Sequence, residues 1–219
     1  MATLPELSPE VRIEVPDCPM GLINKTLINV IRDFCWQTHH WQYAMEAITL
    51  LPYNASAPDT YIYTLPVPTN TELVSVINLI YEGLPLRMCS PNWLDEHQDR
   101  WRDATGEPKF YLMMSDKQVR FIPASDQVRP LAVAGLLALR PNRVTNEFDD
   151  GLMEFDQAII SGAISRLLVM PGKLWSSRAA QRRSVAAEAV YSEGVSQAKM
   201  QVLKGFSEGV ETIVRRPWS

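Results

Sequence analysis

The chain has 219 residues, 46% hydrophobic and 21% charged, with a formal net charge of −4. That is enough for one large domain or a domain with an extension, at the apolar content of an ordinary globular protein. No apolar run reaches the roughly 18 residues that cross a bilayer, and the acidic, proline-rich start MATLPELSPEVRIEVPDC excludes a signal peptide.

Cys18, Cys35 and Cys89 are odd in number and share no metal-ligand spacing, so they read as reduced thiols of a protein folded in cytoplasm. Residues 1–18 carry Pro5, Pro9 and Pro16 and show no periodicity; they are expected to form an arm. The first helix is predicted from about Met20 to Trp41. Leu22, Ile23, Leu27, Val30, Ile31, Phe34 and Thr38 recur at helical spacing along it. Cys35 and His39 share one face of that helix, but two ligands do not make a zinc site.

Residues 42–139 read as strand and turn. Gln42 to Leu51 and Thr60 to Leu65 flank the turn signal PYNASAPD. Pro66 to Pro68 then break the chain before a strand from Glu72 to Tyr81, which turns at Glu82-Gly83 into Leu84 to Cys89. Ser90 followed by Pro91 opens a charged helix to about Arg102. Lys109 to Met114 and Gln118 to Ile122 form a hairpin, and Leu131 to Leu139 a strand buried on both faces. YIYTLPVPTNTELVSVINLIY and KQVRFIPASDQVRPLAVAGLLALR share the plan strand, proline break, polar turn, strand. They are expected to make similar corners in one antiparallel sheet.

From residue 146 two long helices follow, joined at Met170-Pro171-Gly172-Lys173-Leu174-Trp175. Leu152, Phe155, Ile159, Ala163, Leu167 and Met170 give the first a buried stripe, and Gly162 is placed for close approach of another helix. The second starts near Ser176 or Ser177. Its interior face is read as Ala179, Ala186, Ala187, Ala189, Val190, Ala198, Val202 and Leu203, with Gly194 a weak point and Gly205 and Gly209 fraying the end. Small residues suit a repeated protein contact.

Residues 173–219 hold eight basic and four acidic side chains, +4 in all, so the remainder carries −8. That polarity suggests complementary surfaces between copies or unlike partners. Arg178, Arg182 and Arg183 cluster near the start of the last helix, as candidates to face another subunit or DNA. In the tail, Ile213, Val214, Arg215, Arg216, Pro217 and Trp218 combine apolar groups without local partners with the Trp and Arg that dominate binding hot spots.

The chain carries no GxxxxGK[ST], GxSxG, HExxH or GxGxxG. Ser196-Gln197-Ala198-Lys199 matches S-x-x-K without the companion motifs of that chemistry. Asp149-Asp150 and Asp95-Glu96 sit in polar surface stretches, and His39, His40 and His97 have no nucleophile partner. With a pI near 5.4, the five arginines do not make a DNA-binding domain. No catalytic, cofactor or metal site is expected.

The order FCWQTHHWQ, YIYTLPVP, an insertion with Trp93 and Trp101, Gly106-Glu107-Pro108, FIPASDQVRPLAVAGLLALRP, EFD and GAISRLLVMPGKLW resembles tailed-phage head-to-tail adaptor (connector) proteins over nearly the entire chain. The resemblance implies a structural virion protein, not an enzyme. Its copies would form a twelve-fold ring in the viral neck beneath the portal, present a platform to the next tail or nozzle protein, and continue the DNA channel. The C-terminal segment would reach into portal clefts, and packaged DNA would make at most transient contact. Alternatives from the sequence are a related neck protein (head completion or tail terminator) or a small cell-wall hydrolase.

The expected fold is α+β: a bundle of long N- and C-terminal helices, residues 20–41 and 146–205, with an antiparallel β-rich insertion at 42–139. Residues 1–205 form a single adaptor domain, and 206–219 an extended portal-binding tail.

Overall fold

The computed structural model describes residues 1–54, 61–170, 175 and 178–214. Side chains in the last helix are described from Ala179 to Gly205. In chain order the elements begin with β1 (Ala2–Thr3), α1 (Leu4–Glu14), α2 (Met20–Thr38), β2 (Gln42–Leu50), β3 (Ile62–Thr64) and β4 (Thr71–Tyr81). There follow β5 (Leu84–Pro85), β6 (Arg87–Met88), α3 (Pro91–His97), β7 (Phe110–Met113), β8 (Gln118–Ile122) and β9 (Arg129–Pro141). The chain then runs through β10 (Glu147–Phe148), a 3-10 turn (Asp150–Phe155), α4 (Asp156–Leu168) and α5 (Arg178–Val214).

The expected bundle of long terminal helices is not what forms. The protein is a mixed α+β fold with three sheets among the described residues. Three local causes account for the difference. The N-terminal segment is helical, because Thr3 and Glu6 form a capping box, Pro5 sits in the first turn, and Leu4, Leu7 and Val11 bury one face. Residues 147–155 make a short strand against β1 and a 3-10 turn before α4 begins. At the other end, the expected extended tail is helical through Val214, so Gly205 and Gly209 do not end the helix.

Residues 1–41, 70–74 and 139–219 make one compact unit. Its core takes Leu7 and Val11 from α1, Ile23, Leu27, Ile31 and Phe34 from α2, and Ile159, Ala163 and Leu167 from α4. The Phe34 ring lies 5.3 Å from Phe155 and 6.4 Å from Tyr191, tying α2 to the 3-10 turn before α4 and to α5. Arg32 is buried in α2 and donates to the Pro141 carbonyl at 2.5 Å and to Glu72 at 2.8 Å. Arg140 also donates to Glu72, at 3.1 Å. The paired guanidinium of Arg32, above all, holds the Glu72 carboxyl below its ordinary pKa.

Residues 42–69 and 75–138 make the second unit. One sheet has the order β2-β9-β4-β5, the other β3-β8-β7-β6. The sequence echo has a structural meaning that the single-sheet expectation missed. Each strand-proline-strand unit carries the chain from the second sheet to the first, β3 into β4 and β8 into β9, and because the neighbouring strands run in opposite directions the two crossings lie at opposite ends of the pairs. The β6–β7 pair is parallel, which an all-antiparallel insertion did not allow. Nor is β9 buried on both faces, since Leu131 is 71% exposed with φ +50. Ser90 caps α3 as expected, accepting from the Trp93 amide, but the helix stops at His97. Parts of the expected turn PYNASAPD and of the joint at 170–175 lie outside the described residues.

Candidate functional site

Helix α5 has 37 residues, about 55 Å at 1.5 Å per residue, against 13 residues, about 20 Å, for α4. A partner that short covers only part of α5, so the way α5 divides its faces decides what it can do.

The inner face is built from Ala180, Ser184, Tyr191, Val195 and Ala198, all buried. Two glycines let it approach α4. A Cβ at Gly162 would stand 2.7 Å from Tyr191 Cδ2, and one at Gly194 2.3 Å from the Ala158 Cβ. Gly162 thus serves the close approach expected of it. Gly194 does not interrupt the helix; it is the point where two helices nearly touch.

Polar groups complete the seam. Ser165 of α4 donates to Glu188 at 2.8 Å, and Gln37 of α2 donates to the Tyr191 hydroxyl at 3.4 Å. Burial pushes the Tyr191 phenol up to about 12, so it stays neutral. Arg166 pairs with Asp33 at 2.7 Å. Trp175 donates its indole N–H to the Leu167 carbonyl at 3.0 Å.

The outer face was misread from sequence. Of the residues assigned to the interior, Ala198 is buried and Ala187 and Val202 are half-buried, but Ala179, Ala186, Ala189, Val190 and Leu203 are exposed. Away from the packed face, Ala179, Arg182, Val185, Ala186 and Ala189 are exposed together, and Met200 and Leu203 follow beyond the exposed Glu193 and Ser196. Val185 is 71% and Leu203 67% exposed, so this is apolar surface open to solvent. The small residues sit on both sides of α5. The inner ones, glycines included, are used within the chain.

The proposed cationic cluster is only partly assembled. Arg182 and Arg183 are both exposed, and Arg183 donates to Glu14 of α1, so its charge is engaged inside the chain. Arg178 is the first residue of α5, with its side chain outside the described set. Of the expected portal contacts, Ile213 and Val214 have helical backbone and undescribed side chains. Arg215, Arg216, Pro217 and Trp218 lie outside the described residues.

Each unit carries a shallow concavity among its described residues. Glu154, Phe155, Gln157, Ala158, Val190, Glu193, Gly194 and Gln197 line a groove of about 250 Å³ between α4 and α5. In the β-rich unit, Arg87, Met88, Cys89, Ser90, Trp93 and Phe110 line one of about 270 Å³. Burial raises the Cys89 thiol above its ordinary pKa, which disfavours the nucleophilic thiolate. The Cys35 thiol, fully buried in α2, is raised as well, also by burial. Among the described residues no group of His, Cys, Asp and Glu is arranged to hold a metal. No helix among them is long and apolar enough to cross a membrane. Neither family models nor curated proteins give a match to this chain.

Proposed function

We propose that this chain is a structural assembly protein of the head-to-tail adaptor type. Its copies form a ring between a capsid portal and a tail component, and DNA passes through that ring. The observation that supports the reading is the division of α5. One face is packed into its own unit through Gly162, Tyr191 and Gly194. The other presents Val185, Ala186, Ala189, Met200 and Leu203 to solvent over several turns. Such a helix suits repeated contact with other chains. The C-terminal residues Ile213, Val214, Arg215, Arg216, Pro217 and Trp218 are the portal anchor on this reading, and the virion neck is its location.

Truncation after Gly205 tests it. The shortened chain is expected to keep the melting temperature of the full chain and to lose binding to purified portal, measured by mass photometry of the mixture. Trp218→Ala alone is expected to weaken binding by about 2 kcal/mol, the cost of losing a hot-spot side chain. Unchanged portal affinity in the truncated chain contradicts the anchor.

A further inference from the structure

We propose that the outer face of α5 docks on the outer face of α1 in a second copy of this chain. The inference deepens the adaptor reading and rests on it, naming the surfaces through which copies meet.

Two exposed faces in the helical unit match in character. On α5, Arg182, Val185, Ala186 and Ala189 fall at spacings of three and four and are all exposed. On α1, Glu6, Pro9, Glu10 and Ile13 do the same, and Ile13 is 78% exposed. Each face sets apolar groups beside a charge, negative on α1 and positive on α5. The two alanines leave room for another helix, and Ile13 supplies a side chain to fill it.

The charges are complementary and unspent. Glu14 and Arg183 already pair within the chain, where the end of α1 meets the start of α5. One turn back along α1, Glu10 has no ion pair among the described residues. Nor does Arg182, beside Arg183 on α5. Both are exposed, and they do not pair with each other within one copy. A second copy can bring them together. Every copy then offers one face of each kind, and the contact is head-to-tail. Repetition closes a ring when the rotation between copies permits it.

Size sets the strength. An 11-residue α1 is about 16 Å long, so the contact falls below the roughly 1,200 Å² of a stable interface. Copies in dilute solution are therefore expected to meet transiently, and stable assembly needs many contacts or a template.

Covalent trapping reads such a contact. The full chain carrying Ile13→Cys and Ala186→Cys, oxidised at high concentration, is expected to give a ladder of disulfide-linked multimers. Each single variant gives dimers at most. The native Cys18 and Cys35 are buried, and the partly exposed Cys89 is replaced by Ser in every variant so that it supplies no background. Adding Arg182→Glu lowers the ladder yield roughly threefold, the effect of one exposed pair, and adding Glu10→Arg as well restores it. A second cysteine pair, Pro9→Cys with Ala189→Cys, guards against a geometry one turn out of register. Absence of a ladder from both pairs, in variants that melt like wild type, overturns the proposal. Portal binding by the wild-type chain is measured in parallel: if it persists, only the docking faces are wrong, and if it is absent, the adaptor reading falls too.

Discussion

Gly194 lies against Ala158 so closely that a Cβ at position 194 would stand 2.3 Å from the Ala158 Cβ. Neither atom can rotate away, because both are fixed by helical backbone. Gly194→Ala is therefore expected to destabilise the helical unit by about 1–2 kcal/mol. That is an overpacking cost of roughly 1–3 kcal/mol, less the helix propensity alanine adds. Combining it with Ala158→Gly removes the clash, so the double variant loses less than the sum of the singles. Urea unfolding of the four chains measures this. A stabilised Gly194→Ala chain would show that α4 and α5 are farther apart.

Glu72 holds two arginines, one of them buried. Glu72→Gln leaves Arg32 facing a carbonyl and a neutral amide. The expected cost at neutral pH is about 2 kcal/mol, below that of a fully buried pair because Glu72 keeps contact with water. The folded pKa of Glu72 is depressed, so its stabilisation is complete above the unfolded carboxylate value. It is lost as pH falls through the lower folded value. The melting-temperature gap between wild type and Glu72→Gln is thus expected to be widest near neutral pH and to close on acidification. A gap independent of pH would mean that the pair does not carry the difference.

Leu131 takes φ +50 while its side chain is 71% exposed. A left-handed conformation costs a non-glycine residue about 1–2 kcal/mol, and here no burial offsets it. Leu131→Asn is expected to stabilise the protein by about 0.5–1 kcal/mol, since Asn tolerates this region better. A fall in melting temperature would show that the leucine packs against something.

Arg120 sits between two rings, 4.2 Å from the Tyr61 centroid and 5.0 Å from that of Trp101, and it donates to the Arg102 carbonyl. Lysine has the charge without the plane. Arg120→Lys is expected to cost about 1–2 kcal/mol and to alter Trp101 fluorescence. Equal stability would mean that stacking adds nothing at this position.

The sequence made α2 legible because Ile23, Leu27, Val30, Ile31 and Phe34 form one unambiguous stripe, and all are buried. The α1 helix was missed: its prolines read as an arm, although Pro5 sits where a helix tolerates it and the Thr3-Leu4-Pro5-Glu6 cap was the available signal. The two proline-containing crossings showed as a repeat, while the existence of two sheets did not, because pairing partners such as Ile62 and Arg120 are 58 residues apart. In α5 the apolar pattern is doubled, so periodicity alone could not say which face is inner. Tyr191 decides it, and an aromatic among alanines was the available signal. The tail residues Ile213 to Trp218 carry a chemical pattern whose role rests on their partner.

On the proposed function, this chain sits in a viral neck as a ring that joins portal to tail. Electron cryomicroscopy of the particle neck tests it most directly. The expected result is a ring of copies of this chain directly below the portal, with residues 206–219 of each copy seated in portal clefts. A neck whose portal-contacting ring is built from a different chain would contradict the claim.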